Sequence, residues 1–118
     1  MKTFEVENRA LDSAAGVVVV GLSGYLDAHT VADFDKHTDD LLGAGTNKIV
    51  LDLQGLSYIS SAGIGALMGL SQRLKKHGGD LVLLQPTAKV YKILDLLGFT
   101  RIFHLCTSED EARAVFQS

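Results

Sequence analysis

Apolar positions along the chain switch repeatedly between the two periods that separate strands from helices. Phe4, Val6 and, more weakly, Asn8 alternate as an edge strand, Asp12 to Gly16 supplies a turn, and the β-branched run VVVVGLS over residues 17–23 reads as a central strand. These two strands are expected to pair antiparallel. From Asp27 to Leu42 the positions Val31, Phe34, Leu41 and Leu42 keep helical spacing, with Asp27 or Thr30 as the starting cap and Gly43 as a left-handed stop. KIVLDL, residues 48–53, is nearly continuous in apolar character, as strands buried on both faces are. A second helix is expected over Ser61 to Lys76, with Ile64, Leu67, Met68, Ser71 and Leu74 in one stripe, cations in its last turn and Gly78 beyond it.

DLVLL, residues 80–84, is the next strand, and Pro86-Thr87 opens a helix whose face is Val90, Ile93, Leu94 and Leu97, stopped by Gly98. A short strand over Arg101 to Leu105 follows. Ser108 with Glu111 three residues on has capping-box spacing and introduces a last helix through Ala112, Val115 and Phe116. The order β-β-α-β-α-β-α-β-α calls for an α/β fold: one domain over residues 1–118, with a mixed, largely parallel sheet of about five strands and about four helices. In such sheets ligands and partners meet the carboxyl ends of strands, which places the segments after Ser23, Leu53 and Leu84 on one face.

Composition narrows the function classes. With 118 residues, 47% hydrophobic and 21% charged, the chain builds a core without a disulfide or metal staple, and its single cysteine, Cys106, fits a reducing compartment such as the cytoplasm. The formal charge is −3 and the basic residues are scattered apart from Lys75-Lys76, which argues against nucleic acid. The longest apolar run, Ala14 to Leu22, is about nine residues, too short for membrane insertion, and the first residues carry acids where a signal peptide carries its apolar region.

Chemistry concentrates in DLQGLSYISSAGIGAL, residues 52–67, read as a loop between a buried strand and a helix start, with Ser57, Tyr58, Ser60 and Ser61 among its glycines. A serine there has a plain structural use as a helix cap, and Gly63, Gly65 and Gly69 a plain use in letting the helix approach the sheet. Dinucleotide binding would need a glycine at Met68, and no Lys-Ser/Thr pair makes a phosphate loop. A G-x-S-x-G elbow is missing, with His104 the one late histidine available as a base. A phosphoacceptor receiver would need an acidic cluster after the early strand, where Gly21-Leu22-Ser23 stands, and a lysine after the last, where Cys106-Thr107-Ser108 stands.

These residues resemble the STAS domain family, shared by bacterial anti-sigma factor antagonists and the tails of sulfate transporters. The resemblance spans nearly the whole chain and is carried by the apolar strand, DLQGLSYISSAGIGAL and the helix ending KKHGG, together with LSGYLDAHT over residues 22–30. It implies a STAS-like domain whose phosphorylated serine is Ser61 and whose partner-binding residues are Asp27, Thr30, Ser60, Ser61, Ala62, Gly63 and Gly65. It further implies an anti-sigma factor antagonist, not an enzyme and without a cofactor. The unphosphorylated form would bind a serine-kinase anti-sigma factor of the histidine-kinase-like ATPase fold and release a sigma factor, and a metal-dependent serine phosphatase would reset it. The alternative within the family is a scaffold subunit of a stressosome-like assembly or of a lipid-transport ATPase. Three positions depart from the family pattern: Ser60 stands where aspartate is common, Ala62 where Ser or Thr is usual, and Tyr25 where the first motif has glutamate. Losing two acids bears on partner choice, which electrostatic complementarity sets.

The remaining candidates have plainer readings. His29 and His37 flank a face of the first helix without a third ligand for a metal, His77 is a helix-end cation, and His104 belongs to an edge strand. Tyr58 and Tyr91 read as packing residues and Cys106 as a small apolar residue near an element end, while Lys89 and Lys92 fit equally a projection towards an acidic partner and a solvated helix face.

Overall fold

The computed structural model describes residues 4–11 and 14–117. Its elements are β1 (Phe4–Ala10), β2 (Val17–Leu26), α1 (Val31–Gly43), β3 (Lys48–Ile59), α2 (Ser61–Lys76), β4 (Asp80–Leu84), α3 (Ala88–Leu96), β5 (His104–Cys106) and α4 (Glu109–Gln117), with a 3-10 turn at Phe99–Arg101. The expected element order is therefore present, and α2 and β4 have the expected bounds. Of the turn before β2, Asp12 and Ser13 lie outside the described residues.

The five strands form one sheet in sequence order. β1 runs antiparallel to β2 (Phe4↔Gly24 to Ala10↔Val18), and the other pairs are parallel. Alternation along the strands sends side chains to two unequal layers. Leu22, Leu26, Ile49, Leu51, Leu53 and Leu83 face α1, α2 and α3, where Phe34, Leu67, Leu74, Val90 and Leu94 complete the main core. Val17, Val19, Val50, Val82 and Leu84 face the opposite way, where α4 covers them with Ala112, Val115 and Phe116. Each such leucine or valine, taken fully from water, contributes about 1.5–3 kcal/mol before chain entropy is set against it.

Several boundaries differ from the sequence expectation. β3 does not end at Leu53 but continues through Gln54–Ile59, paired with β2 alone, because β4 reaches only Asp52↔Leu84. Two extra residues in β3 make bulges opposite Gly21–Ser23 and Gly24–Tyr25, and these broke the period-two pattern that marks a strand. The first bulge is held by Asp52 Oδ1, which accepts from the Gln54 N–H at 3.0 Å, and by Gly55, where a Cβ would stand 2.6 Å from Ser23 Oγ. Gly43 lies inside α1, and the left-handed residue is Gly45 at φ +95°. The last strand starts at His104, the residues before it forming the 3-10 turn, and Leu97 follows α3 as a 57% exposed residue rather than a core one. In α2 the buried stripe is Ile64, Leu67, Leu70, Ser71 and Leu74, with Met68 only partly covered.

Candidate functional site

β3 runs on past the end of β4, and β2 and β3 carry the candidate residues at their carboxyl ends. After Leu26 the chain turns through Asp27, whose Oδ1 accepts from the backbone N–H of His29 at 2.9 Å and of Thr30 at 3.2 Å. Thr30 Oγ1 donates to the Tyr25 carbonyl at 2.8 Å and accepts from the Asp27 N–H at 3.0 Å. Asp27 thereby caps the turn that leads into α1, its carbonyl accepting from the Val31 N–H at 2.9 Å, as one of the two expected caps; Thr30, the other, sits next to α1 but spends its hydroxyl on the strand end, which buries it and fixes the loop.

After Ile59 the Ser60 N–H donates to the Leu26 carbonyl at 2.9 Å, so the start of α2 is tied to the end of β2 just before Asp27. Ser60, in extended conformation, is the cap of α2, its Oγ accepting from the Gly63 N–H at 3.4 Å. Ser61 is the first helical residue. It is exposed, its hydroxyl makes no hydrogen bond among the described residues, and the first turn of α2 holds no acidic side chain. The two adjacent serines thus have different tasks, one committed to the backbone and one presented outward.

The glycines also divide. A Cβ on Gly63 would meet the Leu26 carbonyl oxygen at 2.7 Å and Ile59 Cγ1 at 2.8 Å, so this residue lets the helix start lie against the strand ends. Gly65 and Gly69, expected to serve the same approach, have nothing within 4 Å of an added Cβ. They line, with Ala62, Ala66, Val31 and Asp35, a groove of about 400 Å³ between α1 and α2, which the Arg73–Asp39 ion pair bridges. Asp27, Thr30, Ser60, Ser61, Ala62 and Gly63 therefore gather at one rim, with Gly65 a turn further along α2.

On the other side of the same strand ends, the Tyr25 and Tyr58 rings meet edge to face at 6.4 Å and 83°, with Lys89 Nζ 5.5 Å over the Tyr58 ring. The β2–β3 register, invisible without the bulges, is what sets Tyr25 opposite Tyr58, and the start of α3 brings Lys89 to them.

His29 precedes α1, and His37, on α1, pairs with Asn8. His104 is on edge strand β5, 3.1 Å from Asp80. Among the described residues no group of three His, Cys, Asp or Glu is placed to hold a metal ion. Cys106 ends β5 in the core, where burial, then the charge of Glu111, pushes its thiol pKa up. No helix among the described residues is long and apolar enough to cross a membrane.

The STAS domain family model matches residues 8–112. An anti-sigma F factor antagonist of Paenibacillus polymyxa is 30% identical over 98 residues, 82% of this chain and 84% of that protein. Among solved structures, an anti-sigma factor antagonist from Mycobacterium paratuberculosis superposes with a TM-score of 0.83 at 21% identity, covering 98% of this chain and 95% of the other. SpoIIAA, an anti-sigma factor antagonist of Bacillus, does so at 23% identity in unphosphorylated form (TM-score 0.76; 97% and 98% covered) and phosphorylated form (0.69; 94% and 99%). With the motif-bearing strand ends, the two-layered sheet and a family model that covers most of the chain in agreement, the chain belongs to the STAS domain family, where the relatives it matches are named anti-sigma factor antagonists.

Proposed function

We propose that the protein is a cytoplasmic anti-sigma factor antagonist that acts by binding rather than turnover and is switched by phosphorylation of Ser61. Unphosphorylated, the rim formed by Asp27, Thr30 and Ser60 to Gly65 binds an anti-sigma factor that is also a serine kinase of the histidine-kinase-like ATPase fold, and a sigma factor is released. A metal-dependent serine phosphatase reverses the modification. The observation that carries this reading is the division of labour at the α2 start, where Ser60 supplies the cap and leaves the Ser61 hydroxyl exposed and unengaged.

A phosphate on Ser61 adds about −1.5 to −2 charges, taking the formal charge from −3 to about −5. The fold tolerates it, because the helix dipole and free N–H groups at the α2 start favour an anion and the Ser60 cap is untouched. The interface does not, because a dianion pressed against a close-packed partner loses its water without gaining a counterion, and Asp27 lies on the neighbouring loop. Ser61→Ala is expected to bind the kinase permanently and Ser61→Asp to lose it, read as dissociation constants by calorimetry. Site-resolved mass spectrometry of protein from its own cells should find phosphate on Ser61 rather than on Ser57 or Ser60, varying with growth condition. Equal affinities for the two variants would overturn the switch.

A further inference from the structure

We propose that Tyr25, Tyr58 and Lys89 form a specificity-determining docking pad beside the Ser60–Ser61 turn, which takes a segment of the anti-sigma partner carrying an apolar side chain next to a carboxylate. The proposal rests on the partner-switch reading above. Tyr25 and Tyr58 are register partners, each one residue before a core-facing anchor, Leu26 or Ile59, that is 0–1% exposed. Alternation then turns both rings out of the main core. They remain 50% and 38% exposed although their backbones are held by the sheet. A tyrosine brings a large contact area for the freedom of two side-chain angles, which is why the residue is enriched among those that dominate binding energy.

Charge decides the chemistry of the occupant. Lys89, on the first turn of α3, lies over the Tyr58 ring and has no ion pair among the described residues. The acid of the adjoining loop, Asp27, is already engaged with its own turn. The pad therefore offers two apolar faces with an uncompensated cation at its margin, the complement of an apolar residue flanked by Asp or Glu. The rim on one side of the strand ends carries the phosphorylation gate, and the pad on the other carries the choice of partner.

The test uses the purified histidine-kinase-like ATPase recovered with the Ser61→Ala protein, and calorimetric dissociation constants for Tyr25→Ala, Tyr58→Ala, Tyr58→Phe and Lys89→Glu made in that background. The alanine variants should each weaken binding about tenfold or more, Tyr58→Phe should regain most of the loss, and Lys89→Glu should weaken binding and slow association most at low salt. Unchanged thermal midpoints show that the fold is intact. Alanine variants that bind like their parent overturn the pad even where Ser61→Asp still abolishes binding. Failure of Ser61→Asp to differ from Ser61→Ala overturns the switch, while the tyrosine affinities still decide the pad. Recovery of no such kinase overturns both.

Discussion

Two glycines, two residues apart in one helix, obey opposite rules. At Gly63 an added methyl meets a backbone carbonyl that cannot rotate away, so Gly63→Ala should cost about 1–3 kcal/mol as the helix start is pushed off the strand ends. At Gly65 the methyl meets open space, and Gly65→Ala should add about 0.5–1 kcal/mol by restricting the unfolded chain in a helical position. Urea unfolding midpoints check both signs. Spacing alone could not separate them, because the tightest obstruction at Gly63 is the Leu26 carbonyl, far away in sequence, and the opening at Gly65 is a gap between helices. The same limit applies to Ser60 and Ser61. Their place at a helix start was legible from local pattern, whereas which one faces the backbone depends on the angle at which α2 leaves β3.

Elements whose two ends are marked by local chemistry were the most legible. α2 is bounded by the Ser60 cap and by the cations and glycines after Leu74, and its limits follow from those signals. α4 is similar: Ser108 Oγ accepts from the Glu111 N–H at 3.2 Å, while Glu111 reaches back to the Thr107 N–H at 2.7 Å and its hydroxyl at 2.9 Å. These bonds, the backbone one foremost, hold the Glu111 carboxyl below the usual glutamate range. A carboxylate lowered in the folded state contributes stability that is present above its unfolded pKa and is lost as pH falls through the folded one. The thermal midpoint should therefore drop on acidification below about pH 4, and less steeply in Glu111→Gln, as circular dichroism would record. β3 was the illegible element, because its bulges shift inward positions from Leu53 to Leu56 and then to Ile59 and imitate a loop rich in glycine and hydroxyls.

At the scale of the molecule, the alternating order of strands and helices was readable because each β-α-β unit has to bury an apolar strand on both faces, and that requirement is written into the runs themselves. The unequal covering of the two faces was not readable, since it depends on a single helix, α4, covering the second face from the β4 and β5 side. Beyond Asp52, β3 has a strand neighbour on one side only, and that end is secured by β2, by buried Leu56 and Ile59, and by the Thr87 hydroxyl donating to the Leu56 carbonyl at 3.0 Å. Its backbone amides should open to solvent at lower free energy than those of the sheet centre. In hydrogen–deuterium exchange, residues 54–60 are expected to take up deuterium before residues 48–52, and a bound partner to slow the first group while leaving the second unchanged. One continuous strand thus passes from a centre paired on both edges to a tip paired on one, so that a partner seated at the tip supplies the neighbour which the sheet itself withholds there.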